Sequence, residues 1–327
     1  MTQLGNPGEF LVTVAIPTYN RREWLERAID SVLSQGHPEV LVHVFDNASA
    51  DGTEEFMRGL VSSNPRVRYT RRPENIGWLL NYSGAMRAVD TPWLIGMGDD
   101  DWQLPEGIAA LLKPLADNPD VGMVIGRTQR LAEGVKVEVY PDDTWKSGRN
   151  ELHEAIPSWA EHGIVEWQSI LISRKAFEEV GGLDHTVGIA TDINLELKLL
   201  LKYPVFVVPQ AVSVYNYHPG QESAKLNVDT IDQFLSIVHL FRRAARESGN
   251  PSLKRASKTF NRRWTKVFVN RLPKVARLPG LLRAVKALAI DFRCPGAAAK
   301  CAARWVLYKP WCAWKRLSSP RPAPVQS

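Results

Sequence analysis

Cysteine is scarce in this sequence, and long apolar runs are lacking. The three cysteines, Cys294, Cys301 and Cys312, lie near the end of the 327 residues. Their odd number and their spacing fit neither a disulfide framework nor a common zinc site. No stretch reaches the roughly 18 uncharged apolar residues of a membrane span, and the N-terminus lacks the basic and apolar regions of a signal peptide. These absences predict a cytoplasmic protein.

Two common nucleotide-binding fingerprints are missing as well. The sequence contains neither Gly-x-Gly-x-x-Gly nor Gly-Lys-Ser/Thr, so neither the dinucleotide fingerprint nor the P-loop applies. Hydrophobic residues make up 44% of the chain and charged residues 23%, as is usual for a globular protein. Any nucleotide site must therefore use other motifs.

Acidic residues are nearly absent from the last part of the chain. From Lys254 onward there are 18 Lys or Arg and one acid, Asp291, a formal charge of +17, so the residues before Lys254 carry −11 of the net +6. Such asymmetry indicates a basic segment with an anionic partner, either a membrane surface or nucleic acid.

Three consecutive acids follow the apolar run Trp93 to Met97, which reads as a buried strand. Asp99, Asp100 and Asp101 would then lie at the end of that strand, where open α/β sheets bind ligands. Hard carboxylate oxygens suit Mg²⁺ or Mn²⁺, which bind one or two carboxylates together with substrate phosphates. The alternative is a simple acidic N-cap, which needs only one Asp.

Strands and helices alternate through the first half of the chain. Predicted strands end at Pro17-Thr18-Tyr19-Asn20, Asp46-Asn47 and Asp99 to Asp101, and Asn75-Ile-Gly77 opens a helix. This alternation predicts an α/β fold with a mostly parallel, Rossmann-like sheet and helices on both faces. Polar residues that follow successive strands are expected to meet along one edge of the sheet.

This ordered series of motifs closely resembles the family 2 glycosyltransferases of GT-A fold, over roughly residues 10–223. The residues that carry the resemblance are Pro17 to Asn20, Asp46 to Thr53, Asn75 to Gly77 with Asn81, Gly98 to Asp101, and Gly181-Gly182-Leu183-Asp184. The resemblance implies a nucleotide-sugar donor, a divalent cation and inversion at the anomeric carbon.

The resemblance also assigns roles to residues of this sequence. It implies that Pro17, Thr18, Tyr19 and Asn20 line the nucleotide pocket, that Asp46 contacts the base and that Asn75, Gly77 and Asn81 lie beside it. Asp99 would approach the ribose or sugar, and Asp100 or Asp101 would hold the metal. Gly98 stands where the family pattern, Asp-x-Asp-Asp, has its first Asp.

Two further positions match the family beyond the Gly-Gly motif. Asp192 matches the acidic base that accepts the proton of the acceptor hydroxyl, although the usual Glu-Asp pair reads Thr191-Asp192 here. Its alternative role is an acid in the first turn of a helix, favoured by the helix dipole. His218 matches a position near the diphosphate, sometimes a metal ligand, and could equally be a structural histidine.

The basic segment contains aromatic residues at helical spacing. Phe260, Trp264 and Phe268 form one such stripe, and the region from Ala297 to Leu317 holds four more aromatic residues: Trp305, Tyr308, Trp311 and Trp314. Basic helices that carry Trp are typical of the membrane interface. The alternatives are packing of the aromatics against the catalytic domain and, third, nucleic-acid binding, which we do not expect.

The sequence as a whole predicts four regions. These are a leader (1–9), a catalytic domain (10–225, with a nucleotide half to about 126 and an acceptor half from about 127), a basic helical segment (226–317) and a disordered tail (318–327).

The predicted function is an inverting transferase that moves a sugar from a nucleotide-diphospho-sugar, by family frequency a UDP-sugar, to a glycan or lipid-linked hydroxyl. It would act in cell-envelope polysaccharide or lipopolysaccharide synthesis, at the inner face of the membrane. The alternative is a non-catalytic nucleotide-sugar-binding scaffold at the membrane surface.

Overall fold

The structure is a computed structural model that describes residues 10–132, 135–140, 145–163, 165–218, 220–221, 229–275, 278–291 and 293–304. Its first half alternates strands with helices. The elements are β1 (Val12–Thr18), α1 (Arg22–Leu33), β2 (Val40–Asp46), α2 (Thr53–Ser63), β3 (Val67–Arg71), α3 (Trp78–Arg87), β4 (Trp93–Gly96), β5 (Trp102–Gln103) and α4 (Gly107–Leu112).

The second half adds strands to the same sheet and ends in helices. The elements are β6 (Met123–Ala132), β7 (Val135–Tyr140), β8 (Gly148–Asn150), α5 (Leu152–His162), β9 (Ile170–Ser173), α6 (Arg174–Glu179), α7 (Thr191–Leu200), β10 (Val205–Tyr217), α8 (Asp229–Glu247), α9 (Pro251–Val275) and α10 (Leu278–Lys286). Residues 295–304 are helical as well.

The strands form one sheet in the order β3-β2-β1-β4-β9-β6-β10-β5, with β7 beside β6 and β8 beside β10. β3, β2, β1 and β4 run parallel, as do β6 and β10, whereas β9 is antiparallel to both of its neighbours. Thr18 lies opposite Asp46 in the register of β1 and β2. The carboxyl ends of β1, β2 and β4 therefore share one edge, as the alternating pattern predicted.

The chain between residues 127 and 217 is more regular than the sequence predicted. The sequence of residues 127–165 is long and mixed, as is typical of a lid or substrate loop. In the structure these residues contain most of β6 and all of α5, together with β7 and β8. The sequence around Pro209 predicts two short strands, Val205 to Val208 and Val212 to Tyr217. β10 is instead one strand that passes Pro209 through a register shift between Val207 and Ala211, because a bulge tolerates the missing N–H of proline.

The apolar stripes of the C-terminal helices complete the core of the domain. Phe234 and Phe241 of α8 and Phe260 and Phe268 of α9 are almost fully buried, and the ring of Phe260 stacks on Trp159 of α5 at 5.1 Å. The structure therefore shows these four side chains packed against the catalytic domain, which was the alternative to membrane contact. The proposed boundary at residue 225 divides the chain within a shared core.

Parts of several predictions lie outside the described residues. They are the leader 1–9, the aromatic residues Trp305, Tyr308, Trp311 and Trp314, and the tail 318–327. Among the described helices, none combines the length and the hydropathy needed to span a bilayer.

Candidate active site

A cavity of about 810 Å³ opens at the edge of the sheet where β1, β2 and β4 end. Most of the residues predicted to form the site line it. These are Pro17, Thr18, Tyr19, Asn75, Gly77, Asn81, Asp99, Asp100, Asp101 and Asp192. The nucleotide half and the start of α7 thus face one another across a single cavity.

The acidic loop after β4 is held by partners from three parts of the chain. The hydroxyl of Thr18 donates to Asp99 at 2.8 Å. The Arg21 guanidinium donates to Asp99 at 3.1 Å and to Asp100 at 2.7 Å. Asp101 turns to β10, where it accepts a hydrogen bond of 3.0 Å from the backbone N–H of Asn216. Asp99 and Asp100 therefore share Arg21 as a partner, whereas Asp101 is held by β10.

Negative charge is concentrated in this loop beyond what Arg21 neutralises. Burial, and then the charge of Asp100, raise the pKa of Asp99 to about 6, against the opposing effect of Arg21. Burial and the charge of Asp100 also raise the pKa of Asp101 well above its usual value. An additional cation among these carboxylates would be stabilised by their negative charge and would in turn favour their ionised forms.

Gly98 leaves space that the Asp100 carboxylate uses. A Cβ atom at Gly98 would lie 2.7 Å from Oδ1 of Asp100 and 3.3 Å from Oδ2 of Asp101. The glycine in place of the first Asp of the family pattern is thus matched by a neighbouring carboxylate turned into the same space.

Asparagines build the opposite wall of the cavity. The Asn47 side chain donates to Oδ1 of Asn75 at 2.8 Å and accepts from the N–H of Ile76. Asn75 Oδ1 also accepts from the N–H of Gly77, which has a φ of 85°. Asn81 donates to the carbonyl of Phe45. These bonds hold the loop before α3 in one conformation.

Two residues predicted to contact the nucleotide do not line this cavity. Asp46 is fully buried, and its oxygens accept from the N–H of Ser49 at 2.8 Å and the hydroxyl of Tyr69 at 2.6 Å. The Asn20 side chain accepts from the N–H of Ala50 at 2.7 Å. In this structure both residues fix the loops at the strand ends.

Asp192 stands at the start of α7 and faces the cavity. Its Oδ1 accepts from the N–H of Ile193 at 2.7 Å. Burial, with a further contribution from the charge of Glu166, raises its pKa from 3.8 to about 7. A carboxyl group with this pKa can accept and release a proton near neutral pH.

His218 lies beside the acidic loop at the end of β10. Its Nε2 is 2.9 Å from Oδ2 of Asp100, and its ring is 5.0 Å from that of Trp24. The N–H of Gly220 donates to Nδ1 at 3.2 Å, so in this arrangement Nε2 carries the proton and donates to Asp100. His218 and Asp100, two of the three residues that the resemblance relates to a metal, are thus in contact, although His218 does not line the cavity itself and Asp101 is bonded to β10.

A divalent cation fits these residues only if the donor supplies most of its ligands. Within the described residues no group of three or more His, Cys, Asp or Glu side chains could enclose a metal ion. Cations that bind diphosphates often use only one or two protein carboxylates. Asp100, with His218 beside it and two further carboxyl groups of raised pKa nearby, meets that smaller requirement.

Sequence reasoning missed several residues that line the cavity: Arg21, Tyr82, Glu166 and Trp167. Arg21 directly follows the Pro17 to Asn20 motif, and this position was a signal that it faces the site. The ring of Tyr82 meets that of Trp167 edge-on at 4.5 Å. No motif marks Glu166 or Trp167, because only the folding of the second half brings them to the cavity.

Residues 13–181 match the family model for Glycosyl transferase family 2. A chondroitin synthase of Pasteurella multocida is 33% identical over 190 residues, which are 58% of this chain and 19% of the synthase. The chain therefore spans less than a fifth of the length of that relative.

Two solved structures share the fold. S. aureus TarS 1-349 in complex with UDP-GlcNAc has a TM-score of 0.68 at 14% identity, covering 95% of this chain and 93% of that chain. The mannosyltransferase PcManGT from Pyrobaculum calidifontis, in complex with GDP-Man and Mn²⁺, has a TM-score of 0.53 at 20% identity, covering 93% and 89%. These likenesses confirm the predicted fold.

Proposed function

Because the chain belongs to glycosyl transferase family 2, and is therefore a glycosyltransferase, we propose that it inverts the configuration of the sugar it transfers. The donor would be a nucleotide-diphospho-sugar and the acceptor a hydroxyl group. One observation carries the proposal: Asp192, a carboxyl group with a pKa of about 7, faces the Asp99 to Asp101 loop across one cavity.

Asp192 acts as the general base of the reaction. Its carboxylate accepts the proton of the acceptor hydroxyl as that oxygen attacks the anomeric carbon from the face opposite the diphosphate. Near pH 7 about half of the Asp192 side chains are ionised, so the base is available and its conjugate acid can still release the proton. One displacement without a covalent intermediate inverts the anomeric configuration.

The leaving diphosphate is bound at the other side of the cavity. Arg21 lines that side and donates to Asp99 and Asp100 through one guanidinium nitrogen, so its positive charge lies close to the phosphates. Asp100 and His218, with Asp101 nearby, would hold Mg²⁺ or Mn²⁺. Such an ion stabilises the negative charge that develops on the leaving diphosphate.

The proposed nucleotide of the donor and the proposed class of acceptor are based on the similar proteins. A UDP-sugar donor is supported by the fold shared with TarS, whose structure contains UDP-GlcNAc, and a GDP-sugar by the likeness to PcManGT. The likeness to a chondroitin synthase supports a glycan acceptor. We place the enzyme in cell-envelope polysaccharide or lipopolysaccharide synthesis, with its basic C-terminal segment at the inner face of the cell membrane.

Release of nucleoside diphosphate tests the proposed base without knowledge of the acceptor. Water replaces the acceptor slowly in such sites, so wild-type protein should hydrolyse the donor sugar that it binds. Asp192→Asn should lower this rate by about 10² to 10⁴ and leave the dissociation constant of the donor within about twofold. Exposed Asp117→Asn serves as the matched control. Equal hydrolysis by Asp192→Asn and wild type would refute the role of Asp192. Donor binding without hydrolysis in either protein would support the scaffold alternative.

A further inference from the structure

A second cavity, of about 510 Å³, lies between α8, α9 and the segment that follows α10. Six cationic side chains line it, and none of its lining residues is acidic. These are Arg242, Arg246, Lys254, Lys258, Arg262 and Arg293.

Helical spacing aligns these cations toward one place. Lys254, Lys258 and Arg262 are four residues apart along α9, and Arg242 and Arg246 are four residues apart along α8. Side chains at this spacing share one side of a helix. Because other faces of both helices are fixed in the apolar core through residues such as Phe241 and Phe260, the basic sides cannot rotate away from the cavity.

Nothing among the described residues neutralises most of this charge. In that part of the chain Arg246, Lys254, Lys258 and Arg262 form no ion pair with a carboxylate. Residues 305–327 contain no Asp or Glu and so add no acidic side chain. Asp291 offers its backbone carbonyl, which accepts a hydrogen bond from Arg242, and Glu247, which directly follows Arg246 in the sequence, does not line the cavity. Among the described residues, these four like charges therefore have no compensating carboxylate.

Arg242 and Arg293 differ from the other cations of this cavity. Burial, and then the charge of Arg293, lower the pKa of Arg242. Arg293 itself has a φ of 55°, a left-handed conformation that is unusual for a residue other than glycine. Ser257 and Asn261, both nearly buried, add uncharged polar groups to the same wall. The cavity thus combines six cationic side chains with uncharged polar groups, as anion sites do.

The second cavity is separate from the donor site. Near the start of α8, the Gln233 side chain accepts from the N–H of Ile189, in the turn that leads to Asp192. Arg242 and Arg246 follow 9 and 13 residues later, which places them about 14 and 20 Å farther along the helix axis.

We propose that this cavity binds a ligand that carries at least two phosphate charges, such as a diphosphate group. The charge of six cations exceeds what a single phosphate would neutralise. Arg and Lys together suit phosphate oxygens through forked and single charge-assisted hydrogen bonds. The diphosphate could belong to a free compound or to the headgroup of a lipid, because both present the same chemistry to the cavity.

The proposal is tested by calorimetric titration of the full chain with inorganic pyrophosphate. The buffer contains a metal chelator and about 150 mM salt. Lys258→Gln/Arg262→Gln removes two charges from the cavity, and Arg255→Gln/Lys266→Gln removes two exposed charges of the same helix that do not line it. We expect saturable binding that weakens at least about tenfold in the cavity variant and stays within about twofold in the control. Equal weakening in both variants, or no binding by folded wild type, would overturn the proposal.

Sedimentation with vesicles distinguishes the two sources of the diphosphate. Phosphatidylcholine vesicles with and without a prenyl diphosphate lipid are compared for wild type and both double variants. Binding that requires the diphosphate lipid and is lost only in the cavity variant identifies a lipid headgroup. Pyrophosphate binding without such sedimentation identifies a free compound. Vesicle binding that is equal for all three proteins would assign the attraction to general surface charge and count against the cavity.

Discussion

Asp192→Asn is expected to stabilise the fold while it removes the proposed base. The Asp192 carboxyl has a pKa of about 7 in the folded protein, because burial disfavours its charged form, against an ordinary value of 3.8. A carboxyl group whose pKa is raised on folding weakens the fold as pH rises from its unfolded to its folded pKa. The asparagine side chain keeps the acceptor for the N–H of Ile193 and carries no charge.

The size of the effect follows from the two pKa values. Raising a carboxyl pKa from 3.8 to about 7 corresponds to an upper limit of about 4 kcal/mol of folding free energy at pH 8. Between about 1 and 2 kcal/mol of this is already present at pH 5, where the Asp192 carboxyl is ionised in the unfolded chain and protonated in the folded one. The stability difference between Asp192→Asn and wild type should therefore grow by up to about 3 kcal/mol between pH 5 and pH 8.

Urea unfolding at 25 °C measures this difference directly. Wild type, Asp192→Asn and the exposed control Asp117→Asn are compared at pH 5 and pH 8. The account predicts that the Asp192→Asn protein gains stability relative to wild type as pH rises, while the control follows wild type. A constant difference at both pH values would refute the reasoning, since Asp192 would then have an ordinary pKa.

Three further changes test other parts of the site. Glu166→Gln should move the acidic limb of the pH profile of kcat/KM to lower pH, because the Glu166 charge raises the pKa of Asp192; an unmoved limb would contradict this coupling. Arg21→Gln should raise the pKa of Asp99 above about 6, measured by carboxyl NMR titration, because Arg21 lowers this pKa in the wild type. The same change should weaken donor binding about tenfold, measured by calorimetry. Phe241→Ala should cost about 3–5 kcal/mol of unfolding free energy in urea, because Phe241 is fully buried; a cost below about 1 kcal/mol would show that α8 is not part of the core.

The nucleotide half could be predicted from the sequence because its signals are local. β1, β2 and β4 are short, mainly apolar runs, and each has a Thr or Asp at its end or within three residues of it. The parallel topology brings these residues to one edge. Thr18, Asn75 and Asp99 accordingly meet in one cavity. The resemblance extended this to Asp192, which no local pattern distinguishes from an ordinary first-turn acid.

Other features depend on contacts between distant residues. Arg21 lies 78 and 79 residues before its partners Asp99 and Asp100, and no spacing rule connects them. The resemblance predicted that Asp46 contacts the base. In this structure the Asp46 carboxylate accepts hydrogen bonds from Tyr69 and Ser49, and no local sequence pattern predicts these bonds. β10 appeared as two strands because a single bulge at Pro209 cannot be told from a turn in the sequence.

The basic C-terminal segment shows the same limit. Its positive charge is evident from the sequence. The sequence does not show, however, whether the aromatic stripe contacts the catalytic domain or a membrane, because that depends on residues far away in the chain. Phe260 finds Trp159 within the domain, and several of the lysines and arginines are left around a cavity.

Thermal unfolding with UDP-, GDP- and dTDP-sugars, with and without Mn²⁺, tests the central claim that the cavity at the strand ends is a donor site. A ligand at about 100 times its Kd stabilises the folded state by about 2.7 kcal/mol, which such a scan detects. The account predicts a metal-dependent rise in Tm with one nucleotide class, smaller in Arg21→Gln and preserved in Asp192→Asn. Unchanged Tm for folded wild type with every donor, at millimolar concentrations, would contradict it.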